Sequence, residues 1–443
     1  MGVRRARSRI ATPTILRVQP PSGDYGPTYG AQSVRDGAGP QTVADPGGGI
    51  TFTTRADLST KIDANPAGTT FVHAAGGSEN WSTGLSIPAG KAPKIYFLGL
   101  AGSTATVLTG GTGSAIGLDF PANGGGEVHG GTWQSFGSLT SETWMSAING
   151  RGPFLAEDCA FDACYRGVGY DSTGAAVSDI VRYNRLYAFD SLRYGFTISG
   201  SFFVFSVGPE VSYCRWTNSN TGQFATDNDA GGSKFLCRSL HVHHCWVNQN
   251  YGSGIWMDYS FDQPLVEENV VESNRNWGIF YEVGTGGPNF KAEATIRRNY
   301  VANNCTSGSF DWYNNVQILS SCSDGALNGG IGYEIHNNII DSTTERLALG
   351  FIDHEFHAFN VKNFYAHDND IWLRGTGGGR VGGEKSAGDP FDPFDPSANN
   401  RFENNHYHVT DTGLSKWRWD GANKTWAQWQ ALGHDDTGTL ELI

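Results

Sequence analysis

Four acidic residues stand at one recurring place in this 443-residue chain. Asp171, Asp227, Asp258 and Glu282 each follow the start of a repeated apolar–polar–apolar unit by sixteen residues, and Asp229 lies close to the second. Two carboxylates about 5–5.5 Å apart suit retaining glycoside hydrolysis, and about 6.5–9.5 Å suits inversion. Like charges that close raise the proton affinity of one member, which can then act as an acid. Trp256, Tyr259, Phe280 and Tyr281 flank the acids, and such rings stack on sugar faces. The expected catalytic set is Asp227, Asp258 and Glu282, while Asp171, Asp229, Trp256, Tyr259 and Tyr281 would bind substrate. No metal ligand set and no organic cofactor is called for, although a column of carboxylates also suits Ca²⁺. Non-catalytic glycan binding and plain solvated strand ends compete with catalysis for the same residues.

These acids share a face only if the chain winds regularly, and the repeat says that it does. Val266-Asn269-Val271, Ile296-Asn299-Val301 and Ile335-Asn338-Ile340 are its clearest copies. Leu155-Asp158-Ala160, Val181-Asn184-Leu186, Val211-Cys214-Trp216, Val242-Cys245-Val247, Ala366-Asn369-Ile371 and Phe402-Asn405-Tyr407 are looser. The starts lie 24 to 39 residues apart, too irregular for a helical solenoid and right for three short strands per turn. The predicted fold is all-β, a parallel β-solenoid of roughly a dozen coils stacked about 4.8 Å apart. A polar residue at one place per coil then forms a ladder of stacked amides, which gives each buried Asn its partner. In the copies starting at Leu155, Val242 and Val266 a Gly falls twelve residues on (Gly167, Gly254, Gly278), each followed by an aliphatic residue. On this register Asp258 and Glu282 sit about 5 Å apart, and Asp227 to Glu282 about 10 Å. The coil starting at Val181 interrupts the column with Thr197 and Ser199.

Composition agrees. Sixty Gly and 17 Pro punctuate many short strands, and the net charge of −13 speaks against a nucleic-acid partner, which needs a basic face. Seven Cys without a CxxC pair suggest buried fillers, Cys214 and Cys245 among them, rather than disulfides. The first sixteen residues are basic but lack the apolar stretch of a secretory signal, and no run is long enough to span a membrane.

Three zones follow. Residues 1–48 form an N-terminal arm with Arg4, Arg5, Arg7 and Arg9 and are expected to dock on a partner. Residues 49–410 form the solenoid, with Asp57 to Ala64 as a short helix capping its first coil. Residues 374–398 read as a surface excursion. Residues 411–443, with Trp417, Trp419, Trp426 and Trp429, read as a lid that covers the open strand edges, with sugar-stacking platforms as the alternative. His241 and His243 read as an outward, solvated pair. Asp353-His354-Glu355-Phe356-His357 reads as loop decoration, since it lacks HExxH spacing.

The run GIWMDYSFDQPLVEENVVESNRNWGIFYEV, the segments VQILSSCSDG and IGYEIHNNIID, and the ending KWRWDGANKTWAQWQALGHDDTG resemble right-handed parallel β-helix proteins of the pectate-lyase-like superfamily. The branch they resemble is found in actinobacteria and in minor tail proteins of phages that infect them. The resemblance covers about residues 50–443 and identifies a fold better than a reaction. It implies that Asp258 and Glu282 occupy recurrent acidic positions of the branch. With the export signal missing, it implies a virion protein, made in the host cytoplasm and placed in the tail. Residues 1–48 would then meet other tail proteins, the β-helix would grip or cut host cell-wall polysaccharide, and several copies would add up through avidity. No heptad specifies a homo-oligomer. A free lyase or glycoside hydrolase is the alternative.

Overall fold

The computed structural model describes residues 31–110, 116–137, 145–172, 180–200, 208–225, 230–258, 260, 262–282, 293–306, 316–321, 333–342, 347–353, 360–385 and 391–443. Three long sheets of 13 strands each run side by side, and within each the successive strands pair in parallel, apart from one antiparallel strand at an end. Sheet 1 runs from Ile50–Phe52 to Arg401–Glu403, sheet 2 from Ser78–Asn80 to Thr439–Leu442, and sheet 3 from Leu85–Ser86 through Trp417–Trp419 to the antiparallel Ala422–Lys424. The chain visits the three in turn and then climbs one step. It is a right-handed parallel β-helix, as the repeat and the resemblance together imply.

The corner between sheets 1 and 2 shows why the sequence winds this way. Nine coils turn it on a single non-glycine residue in the left-handed region: Asp158, Arg185, Tyr213, His244, Glu268, Arg298, Asn337, Asp368 and Asn404, with φ between 50° and 56°. Each such residue costs about 1–2 kcal/mol, so the corner needs support. In the upper coils the next residue supplies it. The side-chain amides of Asn269, Asn299, Asn338, Asn369 and Asn405 donate one to the next at 2.9–3.0 Å, and Asn405 ends the ladder on Asp435 at 2.8 Å. Each ladder oxygen also accepts the backbone N–H of the ladder residue below, as Asn299 does from Asn269 at 3.0 Å.

In the lower coils the same place holds Cys159, Leu186, Cys214 and Cys245, as the pairing of the residues that follow them shows. Two expected ladder members shift as a result. Asp158 is the turn residue itself, joined to Arg185 at 2.7 Å, and Asn184 lies on the outer side of sheet 1, where it donates to Glu157. All six described cysteines are buried, and no two of them form a disulfide.

A second ladder, not anticipated, holds the corner between sheets 2 and 3. Asn250, Asn274 and Asn304 donate upward in turn at 2.7–2.8 Å, and the last reaches Gln317. Gly167, Gly195, Gly232, Gly254 and Gly278 line up beside it. A Cβ on Gly278 would come 2.7 Å from the Asn304 amide and 2.6 Å from the Gln317 carbonyl oxygen, so only glycine fits there.

The ends differ from the expected zones. The helix Arg55–Ala64 seals the first coil with Leu58 and Ile62 in the core, as read. The Trp-rich tail adds strands to sheets 2 and 3 and then sets the helix Trp426–Ala431 against them, with Trp429 packed on Phe402 and Trp419. Trp417–Trp419 pairs in parallel with Val381–Lys385, and Thr439–Leu442 pairs in parallel with His406–Val409. Trp429 and Trp417 are buried in the core. Val381–Lys385 lies within the stretch read as a surface excursion, yet it is a strand of sheet 3. Its Gly383 has no side chain because the Phe351 ring fills that space.

The arm is described from Ala31, and from there it follows the protein's own β-helix. The helix Ala31–Gly37 sets Ala31 and Val34 against Val270, Tyr300 and Ile339 on the outside of sheet 2, and Arg35 forks onto Glu272 at 2.9 and 3.0 Å. Downward from there, Gly39 N–H donates to Tyr213 O, Gln41 N–H to Asp158, and Thr42–Val43 pairs with Gly99–Leu100. Among the described residues no helix is long and apolar enough to cross a membrane.

Candidate functional site

The strands Ile255–Met257 and Ile279–Tyr281 of sheet 3 alternate, and that alternation sorts the expected site residues. Ile255, Met257, Ile279 and Tyr281 point into the central core. Tyr281 is therefore no sugar platform, and its ring packs edge-on against Tyr333. Trp256 and Phe280 point outward, but they are covered and form a second apolar cluster with Trp277, Val316, Leu319, Leu347 and Ile352.

The acidic column exists in part. Strand pairing sets Asp171 beside Ser199, and Ile198, Phe235, Met257 and Tyr281 share one line across the sheet. The next residues of those strands, Leu236, Asp258 and Glu282, therefore extend the column from Ser199, and Ser321, Ile352 and Glu384 continue it. Asp258 and Glu282 are direct neighbours, about 4.8 Å apart along the axis. Asp227, Asp229 and Tyr259 lie outside the described residues, as do residues 354–357. In the coil of Asp227 the column place belongs to Leu236, nine residues later than the fixed offset put it, because that coil is longer before its strand Gly231–Phe235.

Each described carboxylate of the column meets a donor of the protein, either a cation or an indole N–H. Lys234 Nζ lies 3.0 Å from Asp258 Oδ2 and 3.8 Å from the centre of the Trp256 ring, so its charge is shared between a carboxylate and a π-face. The Trp256 indole N–H donates to Glu282 Oε2 at 2.8 Å. Arg166, fully buried, reaches Asp171 at 3.5 Å and Thr197 at 2.9 Å. It can do so because Gly169 has no side chain, where a Cβ would meet the guanidinium carbon at 2.9 Å. Glu384 pairs with Arg418. The repulsion expected between Asp258 and Glu282 is thus offset by Lys234 and the indole. The column does not fit Ca²⁺ either, which wants six to eight oxygens and no competing ammonium.

Lys234, Arg166 and Glu384 escaped the sequence reading. Lys234 was within reach: with Gly232 aligned to Gly254 and Gly278, it falls two residues on, level with Trp256 and Phe280. The His pair faces outward as read, but is engaged rather than solvated. His241 meets Glu267 at 3.1 Å, His243 meets Glu210 at 3.3 Å, and the Nδ1 atoms of His243 and His244 lie 2.8 Å apart.

No protein-family model matches the chain, and no curated protein does. Among solved structures it is similar to the A-module of a mannuronan C-5 epimerase from Azotobacter vinelandii, at 12% identity and a TM-score of 0.40, covering 81% of this chain and 98% of that one. An alginate lyase from Paenibacillus sp. str. FPU-7 matches at 13% identity and a TM-score of 0.37, covering 85% and 97%. The Dettilon tailspike protein matches at 13% identity and a TM-score of 0.38, covering 90% and 66%. At such values the assignment of the fold rests on the strand register itself.

Proposed function

We propose that the chain is a glycan-contacting β-helix of a phage tail, and that the outer side of sheet 3 grips host cell-wall polysaccharide. The observation that carries the glycan part is the cluster of Lys234, Trp256, Asp258 and Glu282, in which an ammonium, an indole and two carboxylates from three successive coils meet on one outer face. Such a group offers hydrogen-bond donors and acceptors in fixed positions to a polar polymer laid along the coils. Its mutual pairing favours holding over bond cleavage, since Asp258 is engaged by the Lys234 ammonium and Glu282 by the Trp256 indole N–H. The tail assignment draws on the sequence resemblance, and its docking segment becomes residues 1–30, because 31–43 follow the protein's own surface.

The test is binding of the full chain to actinobacterial cell-wall polysaccharide, scored together with release of reducing ends. Saturable binding that weakens in Asp258→Asn and Glu282→Gln, without released ends, supports the reading. Released ends that vanish in both variants would instead make the protein an enzyme. Deletion of residues 1–30 should remove the protein from assembled particles while leaving its thermal midpoint unchanged.

A further inference from the structure

The upper end of sheet 2 carries a second cluster, unrelated to the face just described. Asp370 lies on the strand Asp370–Leu373, and His406 and His408 lie on the next strand up, His406–Val409. The pairing sets Asp370 directly against His406, and the two histidines, two residues apart, share the outward side. One ligand atom from each of Asp370, His406 and His408 can be chosen so that all three lie within 4.8 Å of one another. We propose that these three side chains bind a single divalent transition-metal ion of the zinc type.

The chemistry of the donors suits such an ion. Two imidazoles and one carboxylate are the ligands of a borderline cation, and three protein ligands leave a position for water. His408 Nε2 now bonds Asp370 Oδ1 at 2.6 Å, and His406 Nδ1 lies 3.9 Å from the same oxygen. Bonds of about 2.0–2.1 Å to one tetrahedral ion would set such atoms roughly 3.3 Å apart, between those two separations. The ion takes the place of the proton shared by His408 and Asp370.

The surroundings carry the argument further than the three ligands do. Glu441, on the last strand, lies on the far side of both rings, 3.3 Å from His408 Nδ1 and 3.5 Å from His406 Nε2. A carboxylate on the second nitrogen of a metal-bound imidazole fixes the tautomer and strengthens the ligand. The contact is not yet an aligned hydrogen bond, so His408 Nδ1 is buried without one. Glu441 is half exposed and can rotate onto it. The Trp372 ring stacks on His408 at 3.7 Å and 11°, which holds the imidazole in orientation. Arg374, whose guanidinium lies over the Trp372 ring, is bonded to Asp341 at 2.9 and 3.3 Å. Among the described residues the ion-pair partners of Asp370 are the two imidazoles, unlike Asp171, Asp258, Glu282 and Glu384 of the sheet 3 column, each held by Lys or Arg or by an indole N–H. The bound ion would tie together the last three strands of sheet 2 and so fasten the terminal strand Thr439–Leu442.

The experiment titrates the tag-free full chain, stripped with a chelator, with Co²⁺ alone and reads the visible absorption of the bound ion. Binding of one equivalent is expected, displaced by Zn²⁺, with a higher thermal midpoint and slower amide exchange over residues 439–442. His408→Ala and Asp370→Asn should abolish the absorption, and Glu441→Gln should weaken binding about tenfold to a hundredfold. Asp370→Asn keeps the shape and the Trp372–His408 stack, so it covers the case in which His408→Ala fails to fold. A wild-type chain that takes up no Co²⁺ overturns the proposal, as does binding that survives His406→Ala and Asp370→Asn.

Discussion

The same corner of the β-helix is built twice, from different materials. Below Asn269 it is filled by Cys159, Leu186, Cys214 and Cys245, and from Asn269 upward by five asparagines in a continuous chain of amide bonds. The turn residue that precedes the filler is left-handed in both halves, with nearly the same φ. The backbone path therefore does not need the amides. The thiols even copy one of their bonds: Cys245 Sγ lies 3.5 Å from Val211 O, where Asn269 Nδ2 donates to Val242 O at 3.0 Å. What separates the halves is what happens on removal. A small apolar filler leaves a small void, whereas one missing amide strands donors and acceptors on both neighbours.

That difference can be broken directly. Asn338→Ala removes the acceptor of Asn299's amide and backbone N–H and the donor to Asn369 and Ile296 O, all buried. We expect a loss of about 2–3 kcal/mol in denaturant unfolding, since orphaned buried polar groups carry their full desolvation penalty. Cys214→Ala should cost about 1 kcal/mol, the value of one small buried group. Equal losses would end the distinction. Cys245→Asn sharpens it: the new amide should reach Val211 O and Asn269 Oδ1 and extend the ladder by a coil, leaving the thermal midpoint unchanged or higher. A drop larger than that of Cys245→Ala would show that the lower half cannot accept amides.

Thiol labelling probes the lower half without mutation. Burial pushes the Cys164 thiol up to about 12 and raises those of Cys159, Cys237 and Cys245 as well. The six described thiols should stay unlabelled by a thiol reagent at neutral pH and react once guanidinium unfolds the chain.

The smallest effect is on pH. On the outside of the lower coils, a hydrogen bond from His129 pulls the Glu127 carboxyl down to about 2 against the effect of burial, with Lys94 adding to the pull. Burial alone would lower His129, but its bonds to Glu127 and Glu157 raise it overall. The Glu127 contribution is present above the ordinary 4.5 and fades as pH falls toward about 2, while that of His129 is full below 6.5 and fades as pH rises through its raised value. The thermal midpoint should therefore gain most from this cluster between those two ordinary values. His129→Gln should flatten the profile there, by a modest amount because Glu127 is partly exposed.

How legible the molecule was depended on insertions. Val242 and Val266 start coils 24 residues apart with nothing extra between them, so counting placed Asp258 and Glu282 correctly. The coil after Val211 is longer, and the same count landed on Asp227 instead of Leu236. Coils absorb added residues at their corners without disturbing the strands, so a fixed offset holds only where lengths match. The ladder in the lower coils was misread for a related reason: Asp158 and Asn184 carry the polar signal, while Cys159 and Leu186 hold the place. Strand parity would have sent Tyr281 inward with Ile279. That Trp256 is covered, and that Lys234 lies across its ring, depends on contacts between coils that no linear pattern records.

In a stack of coils each rung normally touches only the rungs above and below, so strain or fraying at one end is felt weakly at the other. The segment from Ala31 to Val43 alters that rule. It is anchored on rungs that carry Val270, Tyr300 and Ile339, bonds those of Tyr213 and Asp158 on its way down, and ends on the rung of Gly99 and Leu100. A tether of this kind couples distant rungs, so the spanned portion should melt as one cooperative block. Pulling on the N-terminus should peel the tether away before any coil unwinds.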